Sequence, residues 1–445
     1  MNYICDFHIH SKYSRATAKN ISVEELAKWA QIKGVNILGT GDFTHPIWLR
    51  ELKEKLEPAE QGLYKLKSKT PCSQADRQNL NFKNETRFIL TTEISSIYTK
   101  NNKTRKIHNL IFAPSFEIVD KINTQLGQIG NLKSDGRPIL GLDARELARI
   151  VFNISQDCMI IPAHAWTPWF SIFGHFSGFD SIEECFEEYS KNIFAIETGL
   201  SSDPEMNWTW SKLDNITLIS NSDAHSPSKI AREANIFQGE KISYNLIREA
   251  IKGGSAYAKA SADDGSNKLK LIKTIEFFPE EGKYHWDGHR LCGVVLNPEE
   301  SLKYNNLCPR CGKLMTIGVM NRVMKLADRK IGSADTKNRV PFVKLVPLGE
   351  IIAAVFEIGI ASKKVADNYY KLINIFKSEL DILLNVEKEE IVKAGFPEIA
   401  EGIQRVREGR INISPGYDGE FGKINVFNAN KKPKTSKTQE TLWTL

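Results

Sequence analysis

Strand-like and helix-like stretches alternate over the first 250 residues. That alternation predicts an α/β fold on a parallel sheet or barrel. Two further observations extend the prediction. A pair of cysteine knuckles, His289-Arg290-Leu291-Cys292 and Cys308-Pro309-Arg310-Cys311-Gly312, predicts a small zinc-binding module. From Pro347 onward apolar residues recur at helical spacing, which predicts a mainly helical C-terminal region.

Composition bounds the answer. At 445 residues, two or three domains are expected. With 41% hydrophobic and 26% charged residues the chain falls in the ordinary range of folded proteins. It contains no run of about 18 apolar residues, so no membrane span is expected. Seven cysteines, an odd number without even spacing, point to a reducing compartment, and the cytoplasm is the expected location. The net charge of +6 is unevenly placed: Leu302–Lys344 holds ten basic residues against Asp328 and Asp335, a local charge of +8. Such a window fits contact with a phosphate backbone, and equally a solvated surface.

In chain order, strands are expected near Tyr3–Ile9, Asn36–Gly39, Arg87–Thr91, Lys106–Phe112, Met159–Pro162, Ile193–Ile196 and Ile216–Ser220. A capping box at Ser22-Val23-Glu24-Glu25 opens a helix that Gly34 closes. Others are expected near Ala144–Phe152 and Tyr244–Lys252. In the first strand, alternation puts His8 and His10 on one face and Phe7 and Ile9 on the other. Two neutral imidazoles side by side suggest a metal site. The later strands lead into Asp42 and His45, then Glu93, then His108, then His164, then Glu197, then Asp223 and His225. Functional groups of parallel barrels gather at the strands' C-terminal ends. One such residue is ordinary; seven strands delivering imidazoles and carboxylates together call for metal ions.

Two insertions interrupt this body. In Glu51–Asn84 the first part extends a helix and Ser68–Lys83 reads as a polar loop. Trp166–Cys185 carries Trp166 and Trp169 just after His164. These aromatics suit either base stacking or a hydrophobic plug; Trp208 and Trp210 add a further wall or simply pack. In the zinc module the expected ligands are His289, Cys292, Cys308 and Cys311, with His285 competing for the fourth position. Cys5, Cys72, Cys158 and Cys185 lack such spacing. Helices are expected at Leu348–Phe356, Ala366–Leu384 and Ile399–Arg407, and strand-like pairs over Ile411–Phe427. The polar tail, Asn428–Leu445, is expected to be disordered. Its Gln439, Leu442 and Trp443 resemble the short peptide with which DNA enzymes dock on sliding clamps.

His8-Ile9-His10-Ser11, Glu93, His108, His164 and Asp223-Ala224-His225 resemble the motifs of the PHP (polymerase and histidinol phosphatase) metallohydrolases. The resemblance implies a distorted seven-stranded (β/α) barrel holding two or three divalent ions, zinc with magnesium or manganese as alternatives. One ion would take His8, His10, Glu93 and Asp223. A second would share Glu93 and add His108 and His164. A third would use His225 with Asp42 or His45, since Phe43 stands where many members have histidine. Tyr13, Ser14, Arg15 and Ala16 stand where the family often has another ligand. The resemblance assigns the chemistry to Asp42, Glu93 and Asp223, around a water acidified by the cations.

The chain to about Phe427 further resembles endonuclease Q, a PHP-family DNA repair nuclease. Asp6–Thr17, Gly39–Pro46, Thr91–Ser95, Pro162–Ser171, Ile219–Pro227, Arg232–Asn235 and Cys308–Val319 carry the likeness. Glu401-Gly402-Ile403, Arg407-Glu408-Gly409 and Pro415-Gly416-Tyr417-Asp418-Gly419 add to it. It implies nicking of DNA 5′ to deaminated bases (uracil, hypoxanthine, xanthine) and to abasic sites. Trp166, Trp169, Arg310, Lys313, Arg322 and Lys325 are the expected DNA contacts. The expected organisation is a metallohydrolase barrel over 1–255, the zinc module with its basic surface over 256–345, a helical region over 346–427 and a tail over 428–445. The alternatives are a PHP-type phosphatase for a small ester, which has no use for a zinc module or a basic window, and a non-catalytic DNA- or clamp-binding protein, which has no use for so many converging ligands.

Overall fold

A computed structural model describes residues 1–67, 85–254, 268–336 and 339–427. The expected polar loop Ser68–Lys83 and the tail with Gln439, Leu442 and Trp443 lie outside the described residues. Among those described, no helix is long and apolar enough to cross a membrane.

The chain forms an α/β structure on one large mixed sheet. Across it run Phe342–Lys344, Lys270–Glu276, Ala234–Gln238, Asn2–Asp6, Ile37–Gly39, Arg87–Lys100, Leu63–Leu66 and Leu56–Pro58. Lys103–Ala113 pairs with Arg87–Lys100 and carries Met159–Pro162 on its other edge. Ala195–Glu197 and Thr217–Ile219 make a separate parallel pair.

Each of the seven expected strands is present, but the pairing is less parallel than the alternation implied. Asn2–Asp6, Ile37–Gly39 and Arg87–Lys100 run parallel. Arg87–Lys100 and Lys103–Ala113 pair antiparallel over their whole length. Two residues, Asn101 and Asn102, join them, both left-handed with φ of 54° and 55°. Two positive-φ residues in succession make the tight turn whose twist suits a hairpin, whereas a parallel partner needs a long crossover.

Local signals set several boundaries. The Ser22 hydroxyl accepts from the Glu25 amide, and Gly34, at φ 90°, closes the helix Val23–Lys33. The expected helix Ala366–Leu384 is broken into Lys363–Phe376 and Glu379–Leu384. Lys377 takes φ 76° between them, and Ser378 caps the second. Two strands of the 256–345 stretch, Lys270–Glu276 and Phe342–Lys344, join the main sheet. The knuckle-bearing part forms its own small hairpin, Asp287–His289 with Val294–Leu296.

The first strand ends at Asp6, yet the chain runs on extended, and Ile9 bridges Ala224 beyond the last strand of the parallel pair. Phe7 packs at 0% exposure in an apolar cluster with Ile89, Leu110, Phe112 and Phe237. This packing fixes the direction of the neighbouring His8 and His10.

Candidate metal centre

His8, His10, Glu93 and Asp223 bring one ligand atom each within 4.8 Å of the others; Glu93, His108 and His164 do the same. The two sets share Glu93, which turns a different oxygen to each. Its Oε2 lies 3.6 Å from His8 Nε2 and 3.3 Å from His10 Nε2. Its Oε1 lies 2.7 Å from His108 Nδ1 and 3.1 Å from His164 Nε2. Asp223 Oδ1 closes the first set at 3.5 Å from His8 Nε2 and 3.0 Å from His10 Nε2.

The facing atoms are not satisfied by one another. His8 Nε2, His10 Nε2 and Asp223 Oδ1 are buried and make no hydrogen bond. Orphaned buried polar atoms are costly and call for a partner. Imidazole nitrogens with carboxylate oxygens suit zinc, and a mixed N/O set also takes manganese or iron. The residues present therefore fit a pair of divalent cations bridged by Glu93.

The far side of each ring is held. His8 Nδ1 is 3.0 Å from Glu197 Oε1, and Glu197 also accepts from the His164 amide at 2.7 Å and the Asn221 side chain at 2.9 Å. His10 Nδ1 is 3.0 Å from Asp42 Oδ1, whose other oxygen accepts from the Ser11 amide and from the Ser11 and Ser14 hydroxyls at 2.6–2.8 Å. Thr167 faces His164 Nδ1 at 3.1 Å, and Ser95 faces His108 Nε2 at 3.1 Å. Such outer contacts choose the tautomer, leaving the inner nitrogen as an electron-pair donor.

Charge is concentrated here. Burial works against ionising Glu93, but His108, Arg137 and His8 hold its carboxyl well below the usual range. Asp223 is held down in the same way, chiefly by His8 and His10. The carboxylates in turn outweigh burial at His8 and His10 and push both imidazoles well above their ordinary value. The field of the site favours added positive charge.

The backbone is strained where it delivers these groups: Asp42, His164 and Asp223 take φ of 49°, 30° and 46°. Left-handed non-glycine residues cluster at functional sites because packing must hold them there. Gly199, at φ 61°, makes room for one of them; a Cβ on it would lie 2.6 Å from His164 Cβ.

The third expected ion set does not come together in the same way. Asp42 spends both oxygens on His10, Ser11 and Ser14 and serves as a positioning residue. His45 stacks on Tyr13 at 4.2 Å, its Nδ1 buried without a partner. His225 packs against the His10 ring at 4.6 Å and its Nδ1 is 2.9 Å from the Asp223 carbonyl. Among the described residues these three form no converging set.

The knuckles do converge. His289, Cys292, Cys308 and Cys311 bring their ligand atoms within 4.8 Å of one another, with His289 Nδ1 3.5 Å from Cys311 Sγ. The competing His285 stands outside this set.

The expected DNA contacts divide. Trp169 is 36% exposed and stacks on Phe176 with ring planes 8° apart. Arg310, Lys313 and Lys325 are exposed. Trp166 and Arg322 are corrections. Trp166 is wholly buried, packed on Phe173 and Trp210, its indole N–H donating to Asn207. Arg322 is buried and donates to the carbonyls of Phe173 and Phe179 and to Asp180. Elsewhere in the basic window, Arg329 and Arg339 pair with Asp214, and Lys344 with Asp203. Acids far away in the chain thus absorb much of the local +8.

One site residue, and the role of another, escape the sequence reading. Glu197 was visible at a strand end, but not its hold on His8. Arg137 donates to Glu93 Oε2 at 2.9 Å from the loop Asp135-Gly136-Arg137-Pro138. Its signal was faint: one arginine in a turn, beside a glycine whose Cβ would lie 2.2 Å from Asp42 Oδ2.

Comparison with known proteins places this geometry. The family model "MJ0043 C-terminal domain" matches residues 347–410. Over 269 residues the chain is 34% identical to uncharacterized protein MJ0043 of Methanocaldococcus jannaschii, covering 59% of this chain but only 31% of that protein's length. It is 27% identical over 436 residues to uncharacterized protein YqxK of Bacillus subtilis, covering 94% of this chain and 98% of YqxK. The solved structure of the lesion-specific endonuclease PfuEndoQ from Pyrococcus furiosus superposes with a TM-score of 0.80 at 31% identity, over 96% of this chain and 95% of that one. An endonuclease Q complex with a 27-mer duplex bearing an abasic lesion at the active site superposes with a TM-score of 0.79 at 31% identity, over 96% of both chains.

Proposed function

The chain belongs to the endonuclease Q family, and we propose from that premise that it is a metal-dependent DNA repair endonuclease that nicks the backbone 5′ to deaminated bases and abasic sites. The observation that carries the reading is Glu93, a fully buried carboxylate whose two oxygens each face a separate set of metal-binding side chains.

Divalent ions held by these sets would acidify a water near neutral pH and draw off the charge that builds on a phosphodiester during hydrolysis. The chain's own residues supply the rest. Glu93 fixes the separation of the two sets. Glu197 and Asp42 hold His8 and His10 with their Nε2 atoms turned inward. Arg137, beside Glu93, adds a cation that a non-bridging phosphate oxygen can meet. The Asp223 and His225 side chains are 23% and 29% exposed, whereas those of His8, His10 and Glu93 are wholly buried. The scissile phosphate therefore enters on the Asp223 side. No side-chain nucleophile is needed.

In this reading the mixed sheet is the PHP-type barrel of 1–255. Two strands of the 256–345 stretch are built onto it, and the four-ligand knuckle pair is the structural zinc module. Arg310, Lys313 and Lys325 near it grip the backbone through charge. The helical region 346–427 contains the family-matched segment.

The test uses purified protein and an Asp223→Asn variant on duplexes carrying one uracil, one hypoxanthine or no lesion. The variant is expected to lose nicking by at least about a thousandfold while its duplex affinity changes little. Equal nicking by both proteins, or loss of binding with nicking, contradicts the reading.

A further inference from the structure

The stretch Arg232-Glu233-Ala234-Asn235 leads into the strand Ala234–Gln238, which pairs with Asn2–Asp6. None of the four belongs to a metal-binding set. Two of them hold the turn that delivers Asp223. Asn235 Oδ1 accepts from the Ser220 amide at 3.0 Å, and its Nδ2 donates to the Ser220 carbonyl at 2.7 Å. Arg232 Nε donates to the Ser222 carbonyl at 2.9 Å. Asp6 meets the same turn from the first strand. Its Oδ1 accepts from the Ser222 amide at 3.1 Å, and its Oδ2 from the Ala231 amide at 2.9 Å.

Ser220 and Ser222 are wholly buried and lie beyond the strand end at Ile219. Their backbone groups need partners there, and side chains supply them where the ladder has stopped. Ser222 is gripped at both its amide and its carbonyl. On the far side of Asp223, the Ala224 amide donates to the His8 carbonyl at 3.3 Å, and the Ala224 carbonyl accepts from the His10 amide at 2.9 Å. Asp223 and Ala231 are both left-handed, with φ of 46° and 60°. Such conformations persist only where the surroundings over-determine them.

We propose that Arg232 and Asp6 are positioning residues for Asp223. They clamp the residue before it, so that Asp223 Oδ1 stays 3.5 Å from His8 Nε2 and 3.0 Å from His10 Nε2, and they thereby set the cation affinity of that first donor set. The second set, Glu93 with His108 and His164, does not include Asp223. The clamp therefore acts on one cation of the two. Asn235 reaches further: it also donates to Asn221, which donates to Glu197 behind His8 and the His164 amide. This assignment rests on the metal-site part of the proposed function.

Manganese is the probe, since the cysteine knuckles favour zinc over it. Bound manganese is counted by loss of the free ion's EPR signal in the full-length protein and in its Arg232→Ala, Asp6→Asn and Lys229→Ala variants. Lys229 pairs with Glu350 at 3.2 Å and serves as the control. The parent and Lys229→Ala should show the same two binding steps. In Arg232→Ala and Asp6→Asn one step should weaken by about tenfold or more while the other is kept. Nicking of a uracil duplex should fall at low manganese and recover at saturating manganese. Two unchanged steps overturn the proposal. So does a lower denaturation midpoint with unchanged manganese affinity, which makes the clamp structural, and so does a parent that binds no manganese. If Asp6→Asn does not fold, Arg232→Ala, which shortens a half-buried side chain, decides alone. If the parent binds both ions and nicks no duplex, the endonuclease reading fails, and the binding steps by themselves uphold or overturn the clamp.

Discussion

Glu93 is the residue the site turns on, and its environment explains which neighbours matter. A carboxylate with 0% side-chain exposure, held ionised by His108, Arg137 and His8, is a fixed negative centre between two donor sets. Residues that only orient those donors should still matter. Glu197→Gln keeps the shape but loses the charge behind His8 Nδ1. It should weaken metal affinity by about 10–100-fold, read by competition with a chelator; unaltered affinity would remove Glu197 from its positioning role. A second prediction concerns Glu276, buried under the site and held by the hydroxyls of Thr198, Ser220 and Thr274. Burial, with the charge of Asp203 added, pushes its carboxyl up to about 7. The folded state keeps a proton that the unfolded chain releases above the ordinary carboxyl range. That stabilisation is complete below about 4.5 and fades as pH rises through about 7, which costs about 1 kcal/mol between pH ~6 and ~8. Glu276→Gln should shrink the difference in denaturation midpoint between those two pH values; an equal difference in both proteins contradicts the assignment. At this scale the sequence was legible where alternation and strand ends speak: His8, His10, Glu93 and Asp223. Arg137 sits in a turn that no periodicity marks. Trp166 and Arg322 misled because exposure belongs to the tertiary structure: an arginine in a basic run reads the same whether it meets phosphate or a buried carbonyl.

Elements carry the site by where they stop. The strands Ile37–Gly39, Met159–Pro162 and Thr217–Ile219 each give way, within a few residues, to a left-handed Asp42, His164 or Asp223. These breaks turn the side chains inward. The strand positions followed from β-branched, apolar runs. Their pairing did not, because a two-residue turn at Asn101-Asn102 builds a hairpin where a crossover was expected. The broken helix after Phe376 had a similarly local cause, a serine cap inside an otherwise helical pattern. Arg322, on the helix Val319–Leu326, ties the knuckle-bearing stretch to the aromatic loop through the carbonyls of Phe173 and Phe179 and through Asp180. Arg322→Ala leaves those carbonyls buried without a donor. It should lower stability by about 1–3 kcal/mol or more, seen by chemical denaturation, with the salt dependence of DNA binding unchanged. A variant as stable as the parent but with a shallower salt slope would return Arg322 to the DNA contacts.

For the whole molecule, the α/β class was readable, and the likeness to endonuclease Q structures runs over 96% of the chain. The +8 window was not readable as a surface. Asp180, Asp203 and Asp214 pair with four of its members across the fold and offset three of their charges, leaving Arg310, Lys313 and Lys325 among those that face solvent. The molecule thus joins two sets of metal-binding side chains that share Glu93 to a modest basic surface. The most direct test maps the cut on an end-labelled duplex with one uracil, with divalent metal and after chelation. The account predicts one metal-dependent break on the 5′ side of the uracil and an intact lesion-free duplex. Breaks on both duplexes alike, or no break alongside hydrolysis of a simple phosphate monoester, would contradict it.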